Sequence, residues 1–259
     1  RFISKLSHSE AFMFIAANWK MNLNKALIEE FVNIIQNCEF HEEIKTCICP
    51  PSVYISYLKK LIINLPISLG GQNCHYETKG AFTGEVSSSS LKDVGCEYVV
   101  LGHSERRINN KESNIYVQKC ASSAIKSNLV PIICVGETLK DREENNAFDF
   151  IAKQVDESLP NSFNNIIIAY EPIWSIGTGK IPNNIEIKEM HKHIKGMVNS
   201  KYGKNIKVLY GGSVNSSNIS DILLVDNVDG FLIGGASLNA KDFLAIYSST
   251  VKHLNKFSF

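Results

Sequence analysis

In this 259-residue chain, a small set of chemically capable residues stands directly behind short apolar runs. Asn18 and Lys20 follow residues 12–17, His103 and Glu105 follow 98–101, and Glu171 follows 165–170. Two glycine turns, Gly211-Gly212-Ser213 and Gly234-Gly235-Ala236-Ser237, follow 206–210 and 230–233. A carboxylate at the end of a buried strand is costly unless paired or used, which singles out Glu171. His103 opens a helical stretch, where the first turn favours a neutral imidazole able to donate to a carbonyl oxygen. Lys20 offers a fixed positive charge for a developing oxyanion, with the Asn18 amide close in sequence. Glu105 reads as the partner of Lys20 or of an arginine rather than as a proton carrier. The glycine turns have no Cβ atoms, so backbone N–H groups can close on an anion at a helix start, as a phosphorylated substrate would require.

Behind Glu171 runs Pro172-Ile173-Trp174-Ser175-Ile176-Gly177-Thr178-Gly179-Lys180. Two glycines between stiffer ends suit a loop that moves as a lid. An ordinary surface loop would not be expected to carry Trp174 and Ile176. Closed over the cavity, such a lid would exclude water and raise the basicity of Glu171.

These residues need a scaffold that brings strand ends together. The strand-like runs are 12–17, 45–49, 67–71, 98–101, 130–135, 165–170, 206–210 and 230–233. Apolar on both faces, they read as buried parallel strands. Between them lie helical stretches such as 27–38, 114–127 and 185–198. Eight alternating units predict a (β/α)8 barrel in one domain, α/β in class, with its site on the C-terminal rim. A doubly wound open sheet would carry a Gly-rich fingerprint after its first strand, and Ala17-Asn18-Trp19-Lys20-Met21 is nothing like one.

Composition narrows the partners. With 27 Lys+Arg against 26 Asp+Glu, the formal net charge is +1, and no basic run points to nucleic acid. No unbroken apolar stretch is long enough to span a membrane. Seven scattered cysteines, without a C-x-x-C pair or zinc-ligand spacing, read as reduced thiols in a cytoplasmic protein. Cys134 reads as core packing rather than as a nucleophile. Residues 1–11 read as an extension of unknown role before a barrel over 12–259, and they lack the apolar stretch of a signal peptide.

The motifs, taken in order, resemble those of the triosephosphate isomerase family over nearly the whole chain. They are Asn18-Trp19-Lys20-Met21-Asn22, Gly80-Ala81-Phe82-Thr83-Gly84-Glu85, Gly102-His103-Ser104-Glu105-Arg106, Cys134-Val135-Gly136-Glu137-Thr138, the 170–180 lid, Tyr210-Gly211-Gly212-Ser213-Val214 and Gly234-Gly235-Ala236-Ser237-Leu238. The resemblance implies interconversion of dihydroxyacetone phosphate and D-glyceraldehyde 3-phosphate, a step of glycolysis and gluconeogenesis, with no cofactor and no metal. It makes Glu171 the base, His103 the group that polarises the carbonyl and shuttles hydroxyl protons, and Lys20 and Asn18 the residues that stabilise and position the oxygens. The N–H groups of Gly177, Ser213, Gly234 and Gly235 would hold the phosphate. Ile176 and Leu232 would crowd the base when the lid shuts. It also implies a homodimer through the 73–85 loop, with Thr83 reaching the partner's rim and Arg106 bracing Glu85.

Departures from the family pattern are few. Ala17 stands where Gly is common, and Ile181-Pro182 replaces small residues at the end of the lid, where Pro would stiffen the hinge. Two other functions compete. A Schiff-base aldolase would need Lys20 as nucleophile and would leave the lid unexplained. A barrel that only binds would be expected to have lost Glu171, His103 or Lys20, and all three are present.

Overall fold

A computed structural model describes residues 13–175 and 182–256. Eight parallel strands close in sequence order into a barrel: β1 (Met13–Asn18), β2 (Ile44–Cys49), β3 (Ile67–Gly71), β4 (Tyr98–Leu101), β5 (Val130–Val135), β6 (Ile167–Tyr170), β7 (Lys207–Tyr210) and β8 (Gly230–Ile233). All eight expected runs are strands, with bounds moved by at most two residues. Residue 12, the start of the first expected run, lies outside the described residues.

The helices are α1 (Lys25–Ile35), α2 (Ile55–Leu61), α3 (Ser88–Asp93), α4 (Ser104–Asn109), α5 (Asn114–Lys126), α6 (Leu139–Glu143), α7 (Ala147–Ser158), α8 (Asn184–Tyr202), α9 (Ile219–Ile222) and α10 (Ala240–Asn255). Their starts follow local chemistry. Asn24, Ser87, Ser113 and Thr138 each accept an N–H of the following turn, and Asn183 and Glu186 form a reciprocal box at α8. Gly203 ends α8 with φ 62°, a left-handed cap that favours glycine.

Strand alternation sorts the side chains into two cores. Outward-facing residues such as Ile15, Ala17 and Ile168 pack against the helices. Trp19, just past β1, meets Phe31 of α1 edge-on at 5.1 Å, and Phe31 meets Phe243 of α10 at 5.8 Å. Inward-facing residues form a separate core that includes Phe14, Ala16, Tyr98, Ile132, Cys134, Ile167, Ala169, Leu209 and Leu232. Its large members lie at the N-terminal end, where Phe14 and Tyr98 meet edge-on at 4.9 Å. Toward the other end the rows turn small, from Phe14 to Ala16 and from Ile167 to Ala169. The barrel is thus plugged at one end and roomy at the other.

Phe14 is the main plug, at 2% exposure. Phe14→Ala should lower the unfolding free energy by about 3–5 kcal/mol. Urea denaturation followed by circular dichroism measures this, and a change under 1 kcal/mol would mean that the plug can be dispensed with.

Candidate active site

The inward rows do not stop at the strand ends. Phe14-Ala16 continues to Asn18, Ile167-Ala169 to Glu171, Leu209 to Gly211, and Leu232 to Gly234. The two-residue period that fills the barrel therefore aims these residues into its open mouth. There Asn18, Lys20, His103, Glu171, Ser213, Gly234 and Gly235 line one cavity of about 270 Å3, together with Gly211, Gly212 and Leu232. All expected site residues meet there except Gly177, which lies outside the described residues, as does Ile176.

Glu171 is 2% exposed, and both its carboxylate oxygens are engaged. His103 Nε2 stands 2.9 Å from Oε1, and the Ser104 N–H donates to Oε2 at 3.0 Å. Burial pushes the Glu171 pKa up, but the His103 charge and hydrogen bond, the Ser104 N–H and Lys20 together outweigh it, and the net shift is below 4.5. In this state the base is therefore less basic than an ordinary glutamate, not more. The rise expected on lid closure concerns residues 176–180, which lie outside the described residues; in this state two donors oppose the effect of burial.

At His103 the same contest runs in mirror image. Burial pushes the imidazole down, but the charge and hydrogen bond of Glu171 outweigh it and the net shift is upward from 6.5. The expected preference for a neutral ring meets a carboxylate closer than any effect of the six-residue helix α4. On the far side of the ring, the Glu105 N–H donates to Nδ1 at 3.3 Å, which opposes a second proton there and keeps the ring proton on Nε2, facing Glu171.

Lys20 adopts φ 51°, a left-handed conformation uncommon for a residue with a side chain. Three contacts hold it there. Its N–H donates to Asn18 Oδ1 at 3.0 Å, and the Gln72 amide donates to its carbonyl at 2.8 Å and to Cys49 O at 2.9 Å. Its ammonium pairs with Glu105 at 2.5 Å, the first of the two partners expected for that carboxylate.

The glycine turns make room for these groups. A Cβ on Gly211 would come within 2.8 Å of Glu171 Cγ, so the base can stand where it does only above a glycine. A Cβ on Gly234 would come within 3.3 Å of the Lys20 stem. Gly235 to Ser237 form a short 3-10 turn, and Asn218 Nδ2 donates to the Ser213 carbonyl at 2.8 Å, which steadies the other turn.

Several supports escaped the strand-end reading. Glu137 is fully buried and accepts from Arg142 Nε (2.7 Å), Trp174 Nε1 (2.7 Å) and Tyr170 OH (2.9 Å), so it ties the segment after Glu171 to β5 and α6. The signal was there, since Gly136-Glu137 follows β5 directly. Arg106, expected to brace Glu85, instead donates to Glu112 at 2.7 Å, a buried carboxylate six residues away with a stronger need for a cation. Cys134 is buried as expected, and burial pushes its thiol well above 9.0. Among the described residues, no group of three or more His, Cys, Asp or Glu is placed to hold a metal ion.

Known proteins resemble this chain over nearly its whole length. Residues 13–250 match the family described as triosephosphate isomerase. The triosephosphate isomerase of Alkaliphilus oremlandii is 42% identical over 240 residues, covering 90% of this chain and 97% of that protein. That of Hydrogenovibrio crunogenus is 41% identical over 243 residues, covering 90% and 96%. The crystal structure of triosephosphate isomerase from Bartonella henselae aligns with a TM-score of 0.85 at 39% identity, over 92% of this chain and 98% of that one. With closed barrel, rim chemistry and relatives in agreement, the chain belongs to the triosephosphate isomerase family.

Proposed function

We propose that this cavity interconverts dihydroxyacetone phosphate and D-glyceraldehyde 3-phosphate, and that Glu171 moves the proton between the two carbons. The observation that carries this reading is the Glu171–His103 pair, 2.9 Å apart on the wall of a cavity rimmed by Lys20 and two glycine turns. Glu171 takes a proton from the carbon beside the carbonyl, and the electron pair moves onto the carbonyl oxygen as an enediolate. His103 Nε2 donates to that oxygen and passes hydroxyl protons between the two oxygens, while Lys20 and Asn18 stabilise the negative charge. Glu171 then returns the proton to the neighbouring carbon, so substrate and product differ only in where hydrogen sits. The phosphate rests on backbone N–H groups at Ser213, Gly234 and Gly235, with Gly177 as the lid's contribution.

In the free protein the two proposed catalytic groups are bonded to each other. Substrate must part them, since both Glu171 Oε1 and His103 Nε2 are needed by the sugar. Parting them also removes the largest influence that depresses the Glu171 pKa and leaves burial in charge, which raises its basicity when it is needed.

We further propose a cytoplasmic homodimer. Seven unpaired cysteines, six of them buried, suit a reducing compartment. Within the 73–85 loop, residues 77–85 are exposed, Phe82 at 40%, and on the rim Met21 is 94% exposed. Such apolar groups suit a surface that a second copy covers. No helix among the described residues is long and apolar enough to cross a membrane.

Three outcomes are expected. Glu171→Gln should lower kcat by about 10²–10⁴ in a coupled turnover assay, and Glu171→Asp should also lose activity through misplacement of the carboxylate. Full activity in either variant would remove the proton-transfer role. In the free enzyme, carbon NMR should find the Glu171 carboxyl titrating below 4.5, so that its contribution to stability is complete above that pH and fades as pH falls through its own value. In His103→Gln the same carboxyl should titrate above the wild-type value, and an unmoved titration would show that His103 does not set it. Thr83→Arg should shift sedimentation toward a monomer and reduce activity per chain, whereas a single-chain mass for the unaltered protein would exclude the dimer.

A further inference from the structure

Behind the Glu171–His103 pair lies a cation that the proposed chemistry does not use. Arg107, on α4, donates from all three guanidinium nitrogens to four acceptors. Nε bonds the Gly102 carbonyl at 2.7 Å, Nη1 bonds Asn114 Oδ1 at 2.7 Å, and Nη2 bonds the Cys134 carbonyl at 3.1 Å and Ser158 Oγ at 3.2 Å. These acceptors belong to different elements: the residue after β4, the first residue of α5, the β5 strand and the last residue of α7. Every one of them is neutral. Among the described residues Arg107 forms no ion pair, although the neighbouring Arg106 pairs with Glu112.

That placement is unusual for a guanidinium, which ordinarily takes a carboxylate in its fork. Burial holds the Arg107 pKa below its ordinary value, with the charges of Glu112 and Glu171 opposing it in part, so the cation lies within electrostatic reach of the base. Two of its acceptors lie next to the catalytic pair, one in the peptide that carries His103 and one beside the carbonyl that holds Glu171. The Gly102 carbonyl belongs to the peptide that joins Gly102 to His103. The Cys134 carbonyl lies one residue before Val135, whose own carbonyl accepts the Glu171 N–H at 2.7 Å. Gly102 has φ 61°, and a Cβ there would come within 2.8 Å of Arg107 Nη2, so strand end and guanidinium fit each other only with glycine at that place.

We propose that Arg107 is a positioning residue for the isomerisation: it locks the end of β4 to β5 and so sets the distance and angle between His103 and Glu171. A planar fork with fixed donors can hold four acceptors at once, and a lysine ammonium at the same place cannot. The role differs from that of Lys20, because Arg107 does not line the cavity and has no route to the substrate. It rests on the reading of Glu171 as the base.

The test compares Arg107→Met and Arg107→Lys with the unaltered protein, counting active sites by titration with a phosphorylated hydroxamate analogue of the enediolate. Both variants should lose on the order of 10- to 100-fold in kcat per titrated site, the cost of a misplacement of about 1 Å at reacting groups. KM should change by less than about threefold, because the phosphate cradle on β7 and β8 is untouched. Arg107→Lys keeps the charge, so its failure to restore kcat assigns the effect to geometry, whereas full rescue by lysine would overturn the proposal. Full kcat per titrated site in Arg107→Met, with only the melting temperature lowered, would overturn it as well. Should Arg107→Met yield no folded protein, Asn114→Ala removes one acceptor and leaves the guanidinium. It should lower kcat by about threefold to tenfold with KM held, and an unchanged kcat would count against the proposal. Glu171→Gln separates the two readings: if it retains turnover, the base assignment falls, and if it is inactive while both Arg107 variants keep full kcat, only the positioning role falls.

Discussion

Glu171 stands at 2% exposure at the mouth of an apolar barrel, and it stays ionised there because His103 Nε2 and the Ser104 N–H take up both oxygens within 3.0 Å. An unpaired carboxylate at that depth would take up a proton instead. Much of the rim follows from this requirement. His103 and Ser104 must stand side by side at the end of β4, one strand away from the end of β6. Gly211 has no side chain because one would strike Glu171 Cγ. Gly136 meets the same limit, since a Cβ there would lie 1.8 Å from the Glu171 carbonyl. The neighbouring strand ends thus make room for both the backbone and the side chain of Glu171, and the small inward residues Ala16, Cys134 and Ala169 below it keep the mouth open.

The barrel itself was legible because its physics is periodic. Parallel strands covered on both faces read as unbroken apolar runs, and four of the eight runs kept their expected bounds: Ile67–Gly71, Tyr98–Leu101, Val130–Val135 and Gly230–Ile233. The site was legible for the same reason, since a residue behind such a run lies on the rim. What failed to show were relations between residues distant in sequence. Nothing in Arg106 distinguishes a partner at 85 from one at 112, because the choice depends on which carboxylate ends up buried. Gln72, which holds the strained Lys20 carbonyl across 52 residues, has no local signature. The downward shift of Glu171 in the free protein has no local signature for a related reason. Burial is visible in a sequence as an apolar neighbourhood, whereas the donors that overrule it come from another strand.

The charges on the rim also compensate one another in the free protein. Lys20 is paired with Glu105 at 2.5 Å, and the His103 ring with Glu171 at 2.9 Å, so each carboxylate faces a donor. Such pairing lowers the cost of holding four ionisable groups around a cavity of about 270 Å3. It also means that His103 Nε2 is engaged by Glu171 in this state. Its bond to an enediolate forms only once that internal bond is exchanged for one to the sugar.

That exchange needs a source of free energy that is independent of the reacting carbons. The glycine turns after β7 and β8 supply it in the proposed scheme, because an anion held by backbone N–H groups gains its bonds without disturbing either pair. Binding energy gathered at the phosphate can then be spent on separating His103 from Glu171, so it reaches the transition state and does not merely tighten the ground state. The separation leaves Glu171 buried without its strongest partner, which raises its proton affinity, and it leaves His103 Nε2 free to donate. One displacement thus prepares both groups. The coupling requires the anion to sit on the same rim as the base, and the glycine turns after β7, which neighbours β6, and after β8 line the same cavity as Glu171.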